Sequence, residues 1–149
     1  MRQVGIFGKR KSGKSALMYA LTNHKIMETK YSAMEIGGVG KIMLVDTVGV
    51  DAESTSAEKS AESVEVALML IPNDSFELEL AWLSKLKKSG ASIIAVITQA
   101  DKFDDGGKAL ASAVREVFAL DTVCVSAKTG AGIDELSNKI ISKLSEGRR

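Results

Sequence analysis

A chain of 149 residues with 45% hydrophobic and 26% charged residues is sized for one globular domain with a sizeable core rather than for two full domains. Twenty Lys and Arg against nineteen Asp and Glu leave a formal charge of +1, which excludes a strongly basic nucleic-acid reader and an acidic solvating chain. Cys124 is the only cysteine, so no internal disulfide and no cysteine-based zinc or iron–sulfur site can form within one chain. The charge is unevenly placed. Residues 1–30 carry seven basic groups against Glu28 alone, and residues 46–79 carry nine acids against Lys59 alone. An anionic ligand is therefore drawn to the N-terminal part. No run approaches the roughly 18 apolar residues of a membrane span, and the glycine-broken N-terminus does not read as a signal peptide, so the expected address is the cytoplasm.

Val4 to Phe7 is a short apolar run ending in glycine, and Ala16 to Leu21 has good helix formers, which predicts strand, loop, helix. Tyr31 to Ile36 and Lys41 to Val45 flank a Gly-Gly-Val-Gly connection and read as an antiparallel hairpin. A weakly apolar stretch within residues 54–63 is expected to be a helix or a polar loop. Val64 to Ile71, Ser92 to Ile97 and Thr122 to Val125 are nearly continuous apolar runs, as strands buried on both faces require. Between and after them, Phe76 to Lys88, Lys108 to Phe118 and Ile133 to Leu144 carry apolar residues at three-to-four spacing. Alternating strand and helix demands a mostly parallel sheet covered on both faces. The expected architecture is α/β in three layers: a six-stranded, mostly parallel sheet with one antiparallel strand and about five helices, forming a single domain over residues 1–149.

Gly8-Lys9-Arg10-Lys11-Ser12-Gly13-Lys14-Ser15 satisfies G-x-x-x-x-G-K-S/T directly after the first strand and before the first helix, the context that gives this spacing its meaning. Glycines let the backbone wrap closely round phosphate, successive N–H groups form a nest, and the helix N-terminus adds its positive end. Lys14 supplies a point charge to the β- and γ-phosphates, and Ser15 a hydroxyl to magnesium.

Here the chain resembles the P-loop GTPases, whose further segments follow in the family's order. Asp46-Thr47-Val48-Gly49 ends the third strand as the DxxG element does, which implies that Asp46 holds magnesium through water and that the Gly49 N–H meets the γ-phosphate. Thr98-Gln99-Ala100-Asp101 stands where the family has NKxD, and Ser126-Ala127-Lys128 where it has SAK. Both end parallel strands, where open α/β sheets bind ligands. Asp101 can accept hydrogen bonds from guanine N1–H and N2–H₂, a pairing adenine does not offer. The resemblance thus implies a GTP/GDP site with Mg²⁺ bound through Ser15 and Asp46. Nucleotide contacts are expected from Lys9, Arg10, Lys11, Ser12, Gly13, Lys14, Ser15, Ala16, Asp46, Gly49, Thr98, Gln99, Asp101, Lys102, Ser126, Ala127 and Lys128, with Lys14, Lys11 and Gly49 in catalytic roles.

Ala33-Met34-Glu35-Ile36, the short hairpin and Val45 to Asp51 are most similar to the GTPase domain of the hydrogenase maturation factor HydF. The length and Thr98 are similar to the compact EutP/PduV family of bacterial microcompartments. Three departures from the wider family bear on mechanism. Thr98 and Gln99 replace Asn and Lys, which alters both the bracing of the phosphate loop and the packing over the base. The segment after the first helix offers only Thr29 as a magnesium-capping threonine. Val50 follows Gly49, where many small GTPases carry the glutamine that orients water.

In HydF-like relatives an Asn of the loop helps hold a potassium ion, and here that position is Lys11. Its ammonium either takes the place of the ion, giving a potassium-insensitive enzyme, or points to solvent on its flexible stem. The expected function is slow hydrolysis of GTP to GDP and phosphate in a molecular switch, with residues 46–62 changing order and engaging a protein partner. The alternative is a nucleotide-binding interaction module with little hydrolysis. A nucleotide-dependent dimer is compatible with either reading; nucleic acid is not an expected partner. Cys124 reads as an inert core thiol, Trp82 as packing, His24 as a solvated or helix-compensating residue, and Asp51 and Glu53 as either water-positioning or exposed acids.

Overall fold

The computed structural model describes residues 2–8, 12–21, 31–36, 40–46 and 64–146. Its elements run β1 (Arg2–Phe7), α1 (Lys14–Leu21), β2 (Tyr31–Ile36), β3 (Gly40–Asp46), β4 (Val66–Ile71), α2 (Glu77–Ser89) and β5 (Ser92–Ile97). A single 3₁₀ turn (Ala100–Lys102), α3 (Lys108–Phe118), β6 (Asp121–Cys124) and α4 (Ile133–Glu146) complete the described order. The helix or loop expected within residues 54–63 lies outside the described residues. β2, β5 and α3 have the expected bounds, and the ends of the other elements differ from expectation by one or two residues. At β4, for example, the Glu65 N–H already donates to Gln3 O at 2.9 Å, so bonding to β1 starts one residue before the strand itself.

The sheet order is β2-β3-β1-β4-β5-β6. β2 lies antiparallel to β3, and every other pair is parallel. After β1 the chain builds first on one side, through β2 and β3, and then on the other, through β4, β5 and β6. The carboxyl end of β1 is therefore a topological switch point, where open sheets leave a crevice for ligand.

Period-two alternation divides the core between the two faces. Val66, Leu68 and Leu70 face a cluster with Leu17 and Leu21 of α1 and Leu136, Ile140 and Leu144 of α4. Ala67, Met69 and Ile71 face the other, with Trp82, Leu83 and Leu86 of α2 and Leu110, Val114 and Phe118 of α3. Each of these large side chains, taken fully from water, stabilises the fold by about 1.5–3 kcal/mol. Trp82 packs on Phe7, its ring centroid 6.2 Å away, which fixes α2 over the end of β1. Cys124 is only half-buried rather than fully in the core, and desolvation raises its pKa and keeps it a thiol.

The turn after β6 is held tightly. Ser126 N–H donates to Ala131 O at 2.9 Å and Gly130 N–H to Ser126 O at 2.8 Å, and α4 opens with Leu136 N–H on Gly132 O. Gly132 has φ +76°, and a Cβ there would run into the Cys124 carbonyl. Gly132→Ala therefore combines a left-handed backbone with a backbone collision, and is expected to cost roughly 3 kcal/mol or more. Urea unfolding checks this; a loss under about 1 kcal/mol would mean that the turn yields freely.

Candidate functional site

The phosphate loop leaves β1 at Gly8 and re-enters regular structure at Lys14, the first residue of α1. Gly13 has φ +94°, the left-handed conformation that turns the chain into the helix. The Lys14 ammonium donates to Gly8 O at 3.0 Å and so spans the mouth of the loop. Ser12, in the loop floor, is fully buried, and its Oγ has no hydrogen-bond partner among the described residues.

Thr98 accounts for how this floor stays in place. Its hydroxyl, buried at the end of β5, donates to Ser12 O at 2.7 Å. The expectation that losing the family's Asn alters the brace is thereby made specific: the bond is made by a shorter side chain from the same position. Thr98→Val keeps the shape but leaves the buried Ser12 carbonyl unpaired, an expected loss of about 1–3 kcal/mol. Thr98→Ser should restore most of it, and denaturant midpoints of the two variants measure the difference.

Gln99 follows in the left-handed region, at φ 57° and ψ 39°, with its side-chain amide close to Gly13. That backbone is uncommon for a residue with a side chain and aims the next three residues into a 3₁₀ turn. The turn carries Asp101, whose Oδ1 accepts the Ser126 hydroxyl at 2.8 Å. Ser126 Oγ in turn accepts the Thr129 N–H at 3.1 Å. The Ser126 hydrogen bond is the largest influence holding the Asp101 carboxyl below its ordinary value; desolvation opposes it, while the Asp101 backbone N–H, Lys128 and Lys102 add to it.

The two loops are also tied through the backbone. Val125 N–H donates to Ile97 O at 2.8 Å, and Ala100 N–H donates to Val125 O at 2.9 Å. Between them and α1 lies a hollow of about 210 Å³, walled by Gly13, Ala16, Thr98, Gln99, Asp101, Lys102, Ala127 and Lys128, with Leu17 and Val125. A cavity of this size with mixed lining suits one heteroaromatic ring system rather than a whole large ligand.

The structure thus brings together expected residues from three separate stretches of sequence. Leu17 and Val125 are additions that the sequence presents only as core. Leu17 lies three residues after Lys14, one helical turn on, and this spacing is the signal that would have placed it beside the loop. Ser12 and Ser126 lie behind the wall, where they support rather than line it. Ser15 sits in the first turn of α1 and Asp46 ends β3 opposite Ile6 of β1. Lys9, Arg10, Lys11 and Gly49, together with Thr29, Val50, Asp51, Glu53 and His24, lie outside the described residues. Among the described residues no helix is long and apolar enough to cross a membrane, and no group of three or more His, Cys, Asp or Glu is placed to hold a metal ion.

Comparison with known proteins extends this geometry to a family. Translation initiation factor IF-2 of Hyphomonas neptunium is 29% identical over 92% of this chain, which spans 18% of that relative's length. Translation elongation factor SelB from Methanococcus maripaludis, in complex with the GTP analogue GPPNHP, superimposes with a TM-score of 0.76 at 26% identity, over 99% of this chain and 34% of SelB. The G domain of FeoB from Methanococcus jannaschii shares the fold, with a TM-score of 0.75 at 22% identity over 97% of this chain and 99% of that one. The model of the 50S ribosome-binding GTPase family matches residues 3–99, from β1 through the phosphate loop to Gln99. This chain belongs to that family: it is a GTP-binding P-loop G domain.

Proposed function

We propose that the chain is a single G domain, acting in the cytoplasm as a slow GTPase switch. The observation carrying this reading is the convergence of the Lys14 loop, the Thr98 brace and the Ser126–Asp101 pair on one hollow. There Asp101 takes the guanine edge, and beside the hollow the loop amides with Lys14 take the phosphates. Catalysis then comes from positioning and charge stabilisation, with no covalent nucleophile. Ser15 and Asp46 would hold Mg²⁺, offering a hydroxyl and a carboxylate, the oxygen donors that suit this ion. When bound, it neutralises phosphate charge. Val50 in place of a glutamine leaves attacking water without an obvious orienting group, hence the slow rate.

A single-turnover assay with radiolabelled GTP tests the reading. Release of phosphate over minutes to hours supports the switch; GTP that stays bound and intact identifies a nucleotide-binding interaction module instead. Repeating turnover in potassium, in sodium and in a bulky organic cation tests whether Lys11 stands in for an ion, since strong potassium stimulation rules that out. The relatives above lend no particular weight to a HydF-like or a EutP/PduV-like role, which hydrogenase-maturation or microcompartment genes beside this one would separate.

A further inference from the structure

A second concavity, of about 530 Å³, lies between the start of α2 and the start of α3, and none of its walls belongs to the nucleotide hollow. Its floor is apolar, formed by Phe76, Phe103 and Leu110, with the exposed Ala113 at one edge, and Asp74 and Asp105 stand on its rim. Two exposed apolar side chains stand one helical turn along the sequence from this lining. Leu80 of α2, 40% exposed, lies four residues after Phe76, which precedes that helix, and Val117, 51% exposed, lies four residues after Ala113 on α3; they are two of the three large exposed apolar residues among those described. Two parallel apolar edges at i, i+4 spacing are the receiving half of a helix-in-groove contact.

The rim sets the sign of the occupant. Glu77 and Asp104 are exposed beside Asp74 and Asp105, and Lys108 offsets only part of this charge. The rim is also rigid, because Asp105 accepts the Gly107 and Ala109 N–H groups at 2.9 Å each, and Asn73 Oδ1 accepts the Ser75 N–H at 2.9 Å. Fixed anions around a preformed apolar floor favour a cationic amphipathic partner, and repel an acidic one.

We propose that this trough docks a basic amphipathic helix of a partner protein, with its apolar side chains between Phe76 and Ala113 and its Lys or Arg residues over Asp74 and Asp105. Phe103 belongs to the same turn as Asp101: its N–H donates to Ala100 O at 3.1 Å, directly after Lys102 N–H donates to Gln99 O at 2.9 Å. A helix seated on Phe103 therefore bears on the turn that aims Asp101 and alters guanine-nucleotide release. This second part rests on the assignment of Asp101 to the base.

The test uses the full chain and three fluorescent synthetic peptides: a Leu/Lys amphipathic helix, a Leu/Glu helix of the same pattern, and a Lys/Gln peptide without Leu. The Leu/Lys peptide alone is expected to bind, more weakly at high salt, and at least tenfold more weakly to Ala113→Arg and to Asp74→Lys. Both positions are exposed, and unchanged melting temperatures and GDP affinity verify that the variants fold. Equal affinity for the wild type and both variants, or equal binding of the Leu/Glu peptide, overturns the docking site. Saturating Leu/Lys peptide is expected to change the release rate of labelled GDP at least threefold. An unchanged rate with the peptide bound overturns the coupling and leaves the docking in place, whereas failure of the wild type to bind GDP at all counts against the nucleotide assignment, not the trough.

Discussion

Lys14→Ala is expected to abolish tight binding of GTP and GDP while leaving the fold intact. Lys14 is the first residue of α1, and its side chain makes a polar contact: the ammonium crosses the loop to Gly8 O at 3.0 Å. It contributes little to either core cluster, so removing it creates no cavity. A triphosphate placed in the loop gathers several negative charges at the positive end of α1, and the Lys14 ammonium on its flexible stem can follow them. Losing one partner of such a charge pair costs about 3 kcal/mol, roughly a hundredfold in affinity. Calorimetry with Mg²⁺ and GDP or GTP measures it, with circular dichroism to verify the fold. Affinity within threefold of wild type would remove the phosphates from this loop.

Asp101→Asn is expected to exchange the preferred base. The carboxylate offers two acceptors, which match guanine N1–H and N2–H₂; an amide keeps one acceptor and presents a donor, which matches the 2-oxo group of xanthine. Guanine nucleotides should lose roughly a hundredfold in affinity and xanthine nucleotides should gain, because the mismatch leaves polar groups facing each other without a hydrogen bond. Competition between GDP and XDP reads both directions at once, and equal loss for the two bases would mean that Asp101 only supports the loop. The pH dependence has a definite sign. The Ser126 hydroxyl lowers the Asp101 pKa, so the charged form needed for guanine is fully present above the ordinary carboxylate range and is lost only as pH falls through the lowered value. Affinity should therefore stay flat from neutrality into that range, and Ser126→Ala should move its acid fall to higher pH.

Much of this protein is legible along the chain because the signals are local. The phosphate loop needs glycines, a lysine and a serine at fixed spacing between a strand and a helix, and all of these are consecutive from Gly8 to Ser15. Buried parallel strands announce themselves as apolar runs: Val66 to Ile71 is buried at every position. The amphipathic period of α4 places Leu136, Ile140 and Leu144 on one face without reference to anything else in the molecule.

What lay beyond the sequence is what depends on neighbours far away in the chain. That Thr98 still braces the loop follows from its distance to the Ser12 carbonyl, across 86 residues, and no propensity encodes such a distance. That Leu17 and Val125 wall the base hollow follows from how α1 is set against the ends of β5 and β6; both look like plain core residues along the chain. The acidic trough between α2 and α3 exists only because two helices on one sheet face leave Phe76 and Ala113 opposite each other. By itself the sequence determined the ligand chemistry and the layered fold, since both rest on short-range geometry and on residue type. The tertiary structure alone decided which side chains share a cavity, because hydrogen bonds and close packing act over a few ångströms of space, whatever the separation along the chain.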